Sequence, residues 1–406
     1  MPERISGTEL LDPEVINSPY AFYRRLRAEA PVWEVLDKEI FTVSTFELLA
    51  EVTGRVEDFS SNISCLLYRD DAGLPRCLSF VVEGVQALAV ADPPTHTLHR
   101  STVFPELVAK RMEELGPDVV EIANECVMSA LERGTVEFMS AIGNVVPIAI
   151  ISRLIGFQDS NVDKLMSAAF HGTAMLRAAL SHDELVQAVT HGDEVQTWIA
   201  DQLSAAMKEP SQDLLGCVAR GVQDGVFGEF EATMILDTLL SAGGDSTSSL
   251  LGNATRILAE NQELQHHLRD NPQQIPVFVE EVLRLEPPFR YHLRSVPSDT
   301  TLGGIDIPAG ATVLLLWGAA NRDDVEFERA DEIDLHRQVP RRHVAFGRGI
   351  HHCVGAPLAR IEARSVLTVL LERTSSITLE TRQPPRWVNS LMVRRQERLP
   401  VQLVAR

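Results

Sequence analysis

Phe346-Gly347-Arg348-Gly349-Ile350-His351-His352-Cys353-Val354-Gly355-Ala356-Pro357-Leu358-Ala359-Arg360 is the most informative stretch of this chain. Three glycines surround one cysteine. A helix is expected to follow at once, beginning near Pro357, with Leu358, Ile361, Val366, Val369 and Leu370 along it. Glycine permits positive φ and lets backbone approach a flat ligand closely. A helix N-terminus supplies free amides and a positive dipole end, and both stabilise a thiolate. These features fit a buried structural cysteine beside a turn, a metal site of His351, His352 and Cys353, or a thiolate ligand. Adjacent side chains rarely converge on one tetrahedral ion, which counts against the metal site.

Upstream, residues 230–259 form the longest helical stretch, extending roughly 45 Å at 1.5 Å per residue. Inside it lies Ser241-Ala242-Gly243-Gly244-Asp245-Ser246-Thr247. Two interior glycines cost about 1 kcal/mol each relative to alanine, so a helix break is one reading of this segment. A second helix over 275–285 stops at Pro287-Pro288 and carries Glu281 and Arg284, three apart on one face. Taken alone, such a pair is a solvated surface contact of little worth.

The pattern from about 94 to 275 is helical almost throughout. Residues 31–46 read as a hairpin, residues 63–90 as a long irregular excursion, and Ala311 to Leu316 as a strand. The tail with Trp387, Val388, Leu391 and Val393 also reads as strands. No linker or repeat divides the chain, so one mainly α domain with small β-sheets is expected over 1–406.

The chain has 406 residues, 45% hydrophobic and 23% charged, with a formal net charge of −20. That balance argues against broad nucleic-acid binding, which needs clustered Lys and Arg. Cysteines stand at 65, 77, 126, 217 and 353, without a C-x-x-C pair. An odd, widely spaced set reads as a reduced chain and not a disulfide framework. The N-terminus lacks the apolar run of a signal peptide, and no run approaches the roughly 18 residues of a membrane span. A cytoplasmic protein without a membrane anchor is expected.

The cysteine loop resembles the ligand signature of the cytochrome P-450 family, F-G-x-G-x-H-x-C-x-G followed by a helix carrying L-A-R. Phe346, Gly347, Gly349, His351, Cys353, Gly355, Leu358, Ala359 and Arg360 all match. Arg348 departs, standing where many bacterial members carry His. The segment Ala242-Gly243-Gly244-Asp245-Ser246 is similar to the family's A-G-x-(D/E)-T-(T/S), with Ser246 at the threonine position and Thr247 next. Glu281, Arg284 and Arg337 resemble the family's buried E-x-x-R pair and its later arginine, which fix the cysteine loop. Asp92-Pro93-Pro94-Thr95-His96-Thr97-Leu98-His99-Arg100 matches D-P-P-x-H-x-x-x-R. Finer features, Gly244 to Thr247 and Leu316-Trp317-Gly318-Ala319-Ala320, resemble an actinobacterial subfamily numbered 144.

The resemblance spans nearly the whole chain and implies a triangular helical prism. In it, haem b lies between the long central helix and the cysteine loop. Cys353 would be the iron ligand, with Phe346, Gly347, Gly355, Ala242 and Gly243 against the macrocycle. His96, Arg100, Arg294 and His351 would hold its propionates. Asp245 with Ser246 or Thr247 would serve proton delivery to dioxygen, and the groove would open at Gly243-Gly244. The implied reaction inserts one oxygen atom into a small, lipophilic organic substrate. Peroxide-driven or isomerising chemistry, or a catalytically silent haem protein that binds a lipid or gas, are the rivals.

Leu239, Leu240 and Gly243 are expected to face the distal side. Leu67, Leu88, Phe289, Tyr291, Leu293, Leu391 and Met392 are the other expected pocket residues. Electrons would come from a ferredoxin and its ferredoxin reductase, with Arg341, Arg342 and Arg348 as the docking patch.

Overall fold

The computed structural model describes residues 5–79, 86–157 and 162–406. The architecture is mainly α with small sheets. An N-terminal hairpin, β1 (Val32–Leu36) and β2 (Ile40–Val43), turns through Asp37 and Lys38, both at positive φ. The expected irregular excursion at 63–90 instead contains a second hairpin, β3 (Cys65–Arg69) and β4 (Pro75–Ser79), and then a short 3-10 turn at Leu88–Val90. Its part at 80–85 lies outside the described residues.

Helices follow: α1 (Thr95–Val103), α2 (Val145–Ile155), α3 (Val162–Met175), α4 (His182–Lys208) and α5 (Glu229–Glu260). Next come α6 (Ile275–Leu285), strands β5 (His292–Ser295) and β6 (Thr312–Leu315), and α7 (Ala356–Arg373). One sheet runs β1-β2-β6-β5, with β2 parallel to β6 and the other neighbours antiparallel. A three-stranded sheet joins Thr374–Leu379, Pro400–Ala405 and Thr135–Glu137.

Helix α5 is continuous through Gly243 and Gly244, so the helix-break reading does not hold. Glu229 and Glu231 occupy its first turn, where carboxylates complement the dipole, and Glu231 accepts from the Gly228 amide at 2.8 Å. The glycines serve packing. A Cβ at Gly243 would lie 2.6 Å from Ile151 Cδ1, and one at Gly244 would lie 2.7 Å from Ile148 Cδ1 and 2.8 Å from Ala169 Cβ. The loss of side chains lets α2 and α3 lie against α5. The largest apolar core gathers α2, α3, α5, α6 and α7 around this contact. Among the described residues, no helix is long and apolar enough to cross a membrane.

Candidate functional site

The cysteine loop is a compact turn ahead of α7. Gly347 and Gly349 both adopt positive φ, at 68° and 70°. A Cβ on Gly349 would also lie 2.8 Å from the Thr53 carbonyl oxygen, so glycine is required twice over. The Cys353 amide donates to the Phe346 carbonyl at 2.9 Å and closes the loop. Cys353 is exposed, although much protein lies around it. Burial pushes its thiol up, and the amides of Gly355 and Ala356 act against burial without reversing it. The helix terminus therefore aids the thiolate, as its position suggests, but does not by itself ionise the sulfur.

The middle of α5 supplies an open stripe. Ala242 is exposed and Thr238, Gly243 and Ser246 are half-buried, although the neighbouring turns are buried. Ser246 Oγ donates to the Ala242 carbonyl at 2.5 Å. Leu240 and Thr247 lie about 160° and 140° around the helix from Ala242 at 100° per residue. Both are buried, Leu240 completely. The expectation that Leu240 faces the distal side is thus wrong, and Ser246, not Thr247, is the hydroxyl on the open stripe. Asp245 is 1% exposed. It pairs with Arg395 Nε at 2.7 Å and accepts from the Thr173 hydroxyl on α3.

A basic cluster surrounds the loop. Helix α1 carries His96 and Arg100 one turn apart. The His96 and His351 rings stand 4.2 Å apart. Arg100 donates to the carbonyls of Ile350 at 2.9 Å and His352 at 3.0 Å. Arg294, on β5, is pulled down to about 10 by burial, with Asp92 opposing. His351 is pulled down to about 3 by burial, then by His96, Arg294, Arg100 and His292. Its Nε2 is buried without a hydrogen-bond partner.

Sequence reasoning missed His292. Its Nδ1 accepts from Trp317 Nε1 at 2.7 Å, which leaves the proton on Nε2 of the neutral ring. Burial holds it down to about 4. The signal was available, because His292 is two residues from Arg294 on one strand and shares its face. An orphaned imidazole amid crowded cations, with Asp92 as the carboxylate beside them, fits a planar group that carries two carboxylates.

Glu281 is fully buried and bridges Arg284 at 2.9 Å and Arg337 at 2.8 Å. Arg284 also donates to the carbonyls of Asn321, Ala330 and Glu332. The trio therefore secures residues 321–337, one step removed from the cysteine loop. Its neighbour Glu280, which sequence reasoning passed over, reaches closer. It takes Arg360 Nε at 2.6 Å and His343 Nε2 at 3.0 Å. Burial alone would raise this carboxyl, but those hydrogen bonds hold it down to about 2. His343 Nδ1 accepts from the Ala345 amide and burial lowers the ring's pKa, so Arg360 is the charged partner and His343 a neutral donor.

The expected pocket residues divide in two. Leu67, Tyr291, Leu293, Leu391 and Met392 share one apolar cluster, with Phe289 packed against it. Leu88, Leu239 and Leu240 belong to the main core instead. Tyr291 is anchored by its hydroxyl, which donates to the Leu176 carbonyl at 2.7 Å.

Comparison with known proteins supplies an independent line. Residues 194–402 match the family model for cytochrome P-450. The chain is 38% identical over 388 residues to cytochrome P-450 144 of Mycobacterium tuberculosis, covering 95% of this chain and 89% of that protein. It is 35% identical over 335 residues to the mycinamicin IV hydroxylase/epoxidase of Micromonospora griseorubida, covering 80% and 82%. Among solved structures it resembles cytochrome P-450 CREJ in complex with (4-ethylphenyl) dihydrogen phosphate, at TM-score 0.87, 27% identity and 96% and 98% coverage. It also resembles CYP109Q5 from Chondromyces apiculatus, at TM-score 0.83, 28% identity and 98% coverage of both chains. Together with the cysteine loop and its basic surround, these matches identify the chain as a member of the cytochrome P-450 family, allied to subfamily 144: a haem b monooxygenase.

Proposed function

We propose that this monooxygenase inserts one oxygen atom from dioxygen into a small, lipophilic organic molecule, with Cys353 as its iron ligand. The observation that carries the assignment is the orphaned His351 Nε2 within a basic cluster against the loop of an open cysteine. His96, Arg100, Arg294 and His351 would bind the two propionates, and Arg suits that task through its bidentate fork. His292 adds a neutral donor beside them. Phe346, Gly347, Gly355, Ala242 and Gly243 would line the faces. When bound, the haem supplies the oxygen activation, and the thiolate of Cys353 pushes electron density toward the metal.

The chain's own part is to deliver protons and shape the pocket. Ser246 presents a hydroxyl on the open stripe of α5. Asp245 lies one residue away, held by Arg395 and Thr173, and would resupply the hydroxyl's proton. Leu67, Phe289, Leu293, Leu391 and Met392 form the apolar wall that favours a lipophilic substrate.

Electrons would arrive from a ferredoxin with its reductase. Arg348 is exposed and stacks over Phe46, with its guanidinium carbon 5.7 Å from the ring centroid. Arg341 and Arg342 are exposed too, although each also pairs with a carboxylate, Glu280 and Glu326. Arg348 is thus the freest charge for docking, and its reversal to Glu should slow reduction most at low salt.

The deciding experiment is the spectrum of the reduced, haem-loaded protein with carbon monoxide. The red-shifted Soret band of thiolate ligation is expected in the wild type and lost in Cys353→Ala. An unaltered band in the variant would overturn the ligand assignment.

A further inference from the structure

Two cysteines remote from the proposed ligand lie in contact on the β3–β4 hairpin. Leu67 pairs across the hairpin with Cys77, and Cys65 with Ser79, so the two thiols stand diagonally on one face. Diagonal neighbours are ~7–8 Å apart at Cα, a little more than the ~4.4–6.8 Å a disulfide usually spans, so bridging them asks the two strands to draw together. The side chains already lean toward each other, with the sulfurs 2.8 Å apart. The Thr312 hydroxyl, on the adjacent sheet, lies 3.5 Å from Cys65 Sγ and 3.9 Å from Cys77 Sγ. Cys65 is buried and Cys77 is half-buried, so the pair is reached from the Cys77 side.

We propose that Cys65 and Cys77 are a redox modification site that closes to a disulfide under hydrogen peroxide and reopens with a thiol reductant.

The microenvironment assigns the roles. The contact between the two sulfurs lowers the Cys65 thiol against burial, and Thr312 adds to the effect. The same contact, with burial, pushes Cys77 up. Cys65 is therefore the attacking thiolate and Cys77 the resolving thiol. In the first step the Cys65 sulfur attacks one peroxide oxygen. An S–O bond forms, the O–O bond breaks, and the departing hydroxide takes a proton to become water. In the second step the Cys77 sulfur attacks the Cys65 sulfur. An S–S bond forms, the S–O bond breaks, and the hydroxide leaves as water with the Cys77 proton. Two thiols lose two electrons and two protons in total, and one peroxide becomes two waters.

The site is more than a surface thiol pair, because of what the hairpin covers. Cys65 and Leu67 pack in the same cluster as Tyr291, Leu293, Leu391 and Met392, and Cys77 packs against that cluster. The hairpin is also tied to the segment after α3, where the Arg69 amide donates to the Leu180 carbonyl at 2.8 Å. Closing the bond would fasten one wall of the candidate pocket. A bond that opens and closes is compatible with a reducing compartment, where permanent disulfides are rare.

The test uses the full-length, haem-loaded protein, reduced and freed of reductant. It is treated with hydrogen peroxide, its remaining thiols are alkylated, and it is digested with trypsin, which separates the two cysteines by cutting after Arg69 and Arg76. A linked peptide pair carrying Cys65 and Cys77, lighter by two hydrogens and lost on reduction, is expected, with the loss of two titratable thiols. Cys77→Ser should abolish the link and leave a sulfenic acid on Cys65 that a dimedone probe captures. Cys126→Ser should leave the link intact. The proposal fails if both peptides are recovered fully alkylated at a peroxide dose that modifies other residues. It fails equally if Cys65→Ser leaves the thiol loss unchanged.

Discussion

Ser246 and Thr247 are chemically alike, adjacent in sequence, and separated by 100° of helix turn. That angle decides between them. Ser246 lies on the open stripe and Thr247 is 3% exposed in the packed interior. Ser246→Ala is expected to uncouple the enzyme, slowing product formation by roughly a hundredfold, the low end of general acid–base contributions, while raising the share of electron pairs lost as peroxide. Thr247→Ala is expected to keep coupling and to lose only stability. Oxygen and peroxide electrodes read both, and the reverse pattern would reassign the hydroxyl. The sequence could place both hydroxyls beside Asp245 but not choose between them, because the stripe is defined by what packs on the other faces. Glu280 and Glu281 pose the same problem. They are neighbouring acids whose distinct partners, Arg360 and Arg337, lie 80 and 56 residues away.

At the scale of elements, the two glycines of α5 were legible as an anomaly, for which a break was one of two readings. In an unpacked helix, glycine to alanine stabilises by about 1 kcal/mol. At Gly244 the added Cβ would meet Ala169 Cβ at 2.8 Å, and a methyl carbon on a helix cannot turn aside. Overpacking of this kind costs about 1–3 kcal/mol, so Gly244→Ala should lower the denaturant midpoint. A raised midpoint would show that α3 yields easily. The long helix, the α6 boundaries and the helix after the cysteine were readable because apolar period and proline punctuation agree there. The β3–β4 hairpin was not. Its strands are five residues each, and the turn between them supplies no strong two-residue signal.

Across the whole molecule, acid sensitivity should be set partly by the carboxylates beneath the cysteine loop. Glu280 has a folded value of about 2, below the ~4.3 of an unfolded chain. The unfolded chain therefore takes up the proton first as pH falls. The stability that Glu280 contributes is full above pH ~4.3 and drains away toward pH 2, amounting to about 3 kcal/mol at this shift. Glu280→Gln should flatten the acid limb of the stability profile while lowering neutral-pH stability by roughly 3 kcal/mol. Denaturant midpoints measured from acid to neutral pH separate the two effects. A variant with an unchanged acid limb would place the responsible groups elsewhere, with Glu286 the next candidate, since Arg394 and Arg256 hold it down to about 2 against burial.

The parallel pairing of Ile40–Val43 with Thr312–Leu315 joins segments separated by about 270 residues. At ~5–20 residues per second of synthesis, a nascent chain would wait roughly 15–50 s before that partner emerges. Throughout the interval the hairpin's inner strand offers an unpaired ladder of amides and carbonyls to any passing strand. Production in a host should then be limited by this interval. Slower growth temperature alone would prolong it, whereas holdase chaperones that shield the N-terminal ribbon should raise the yield of native protein.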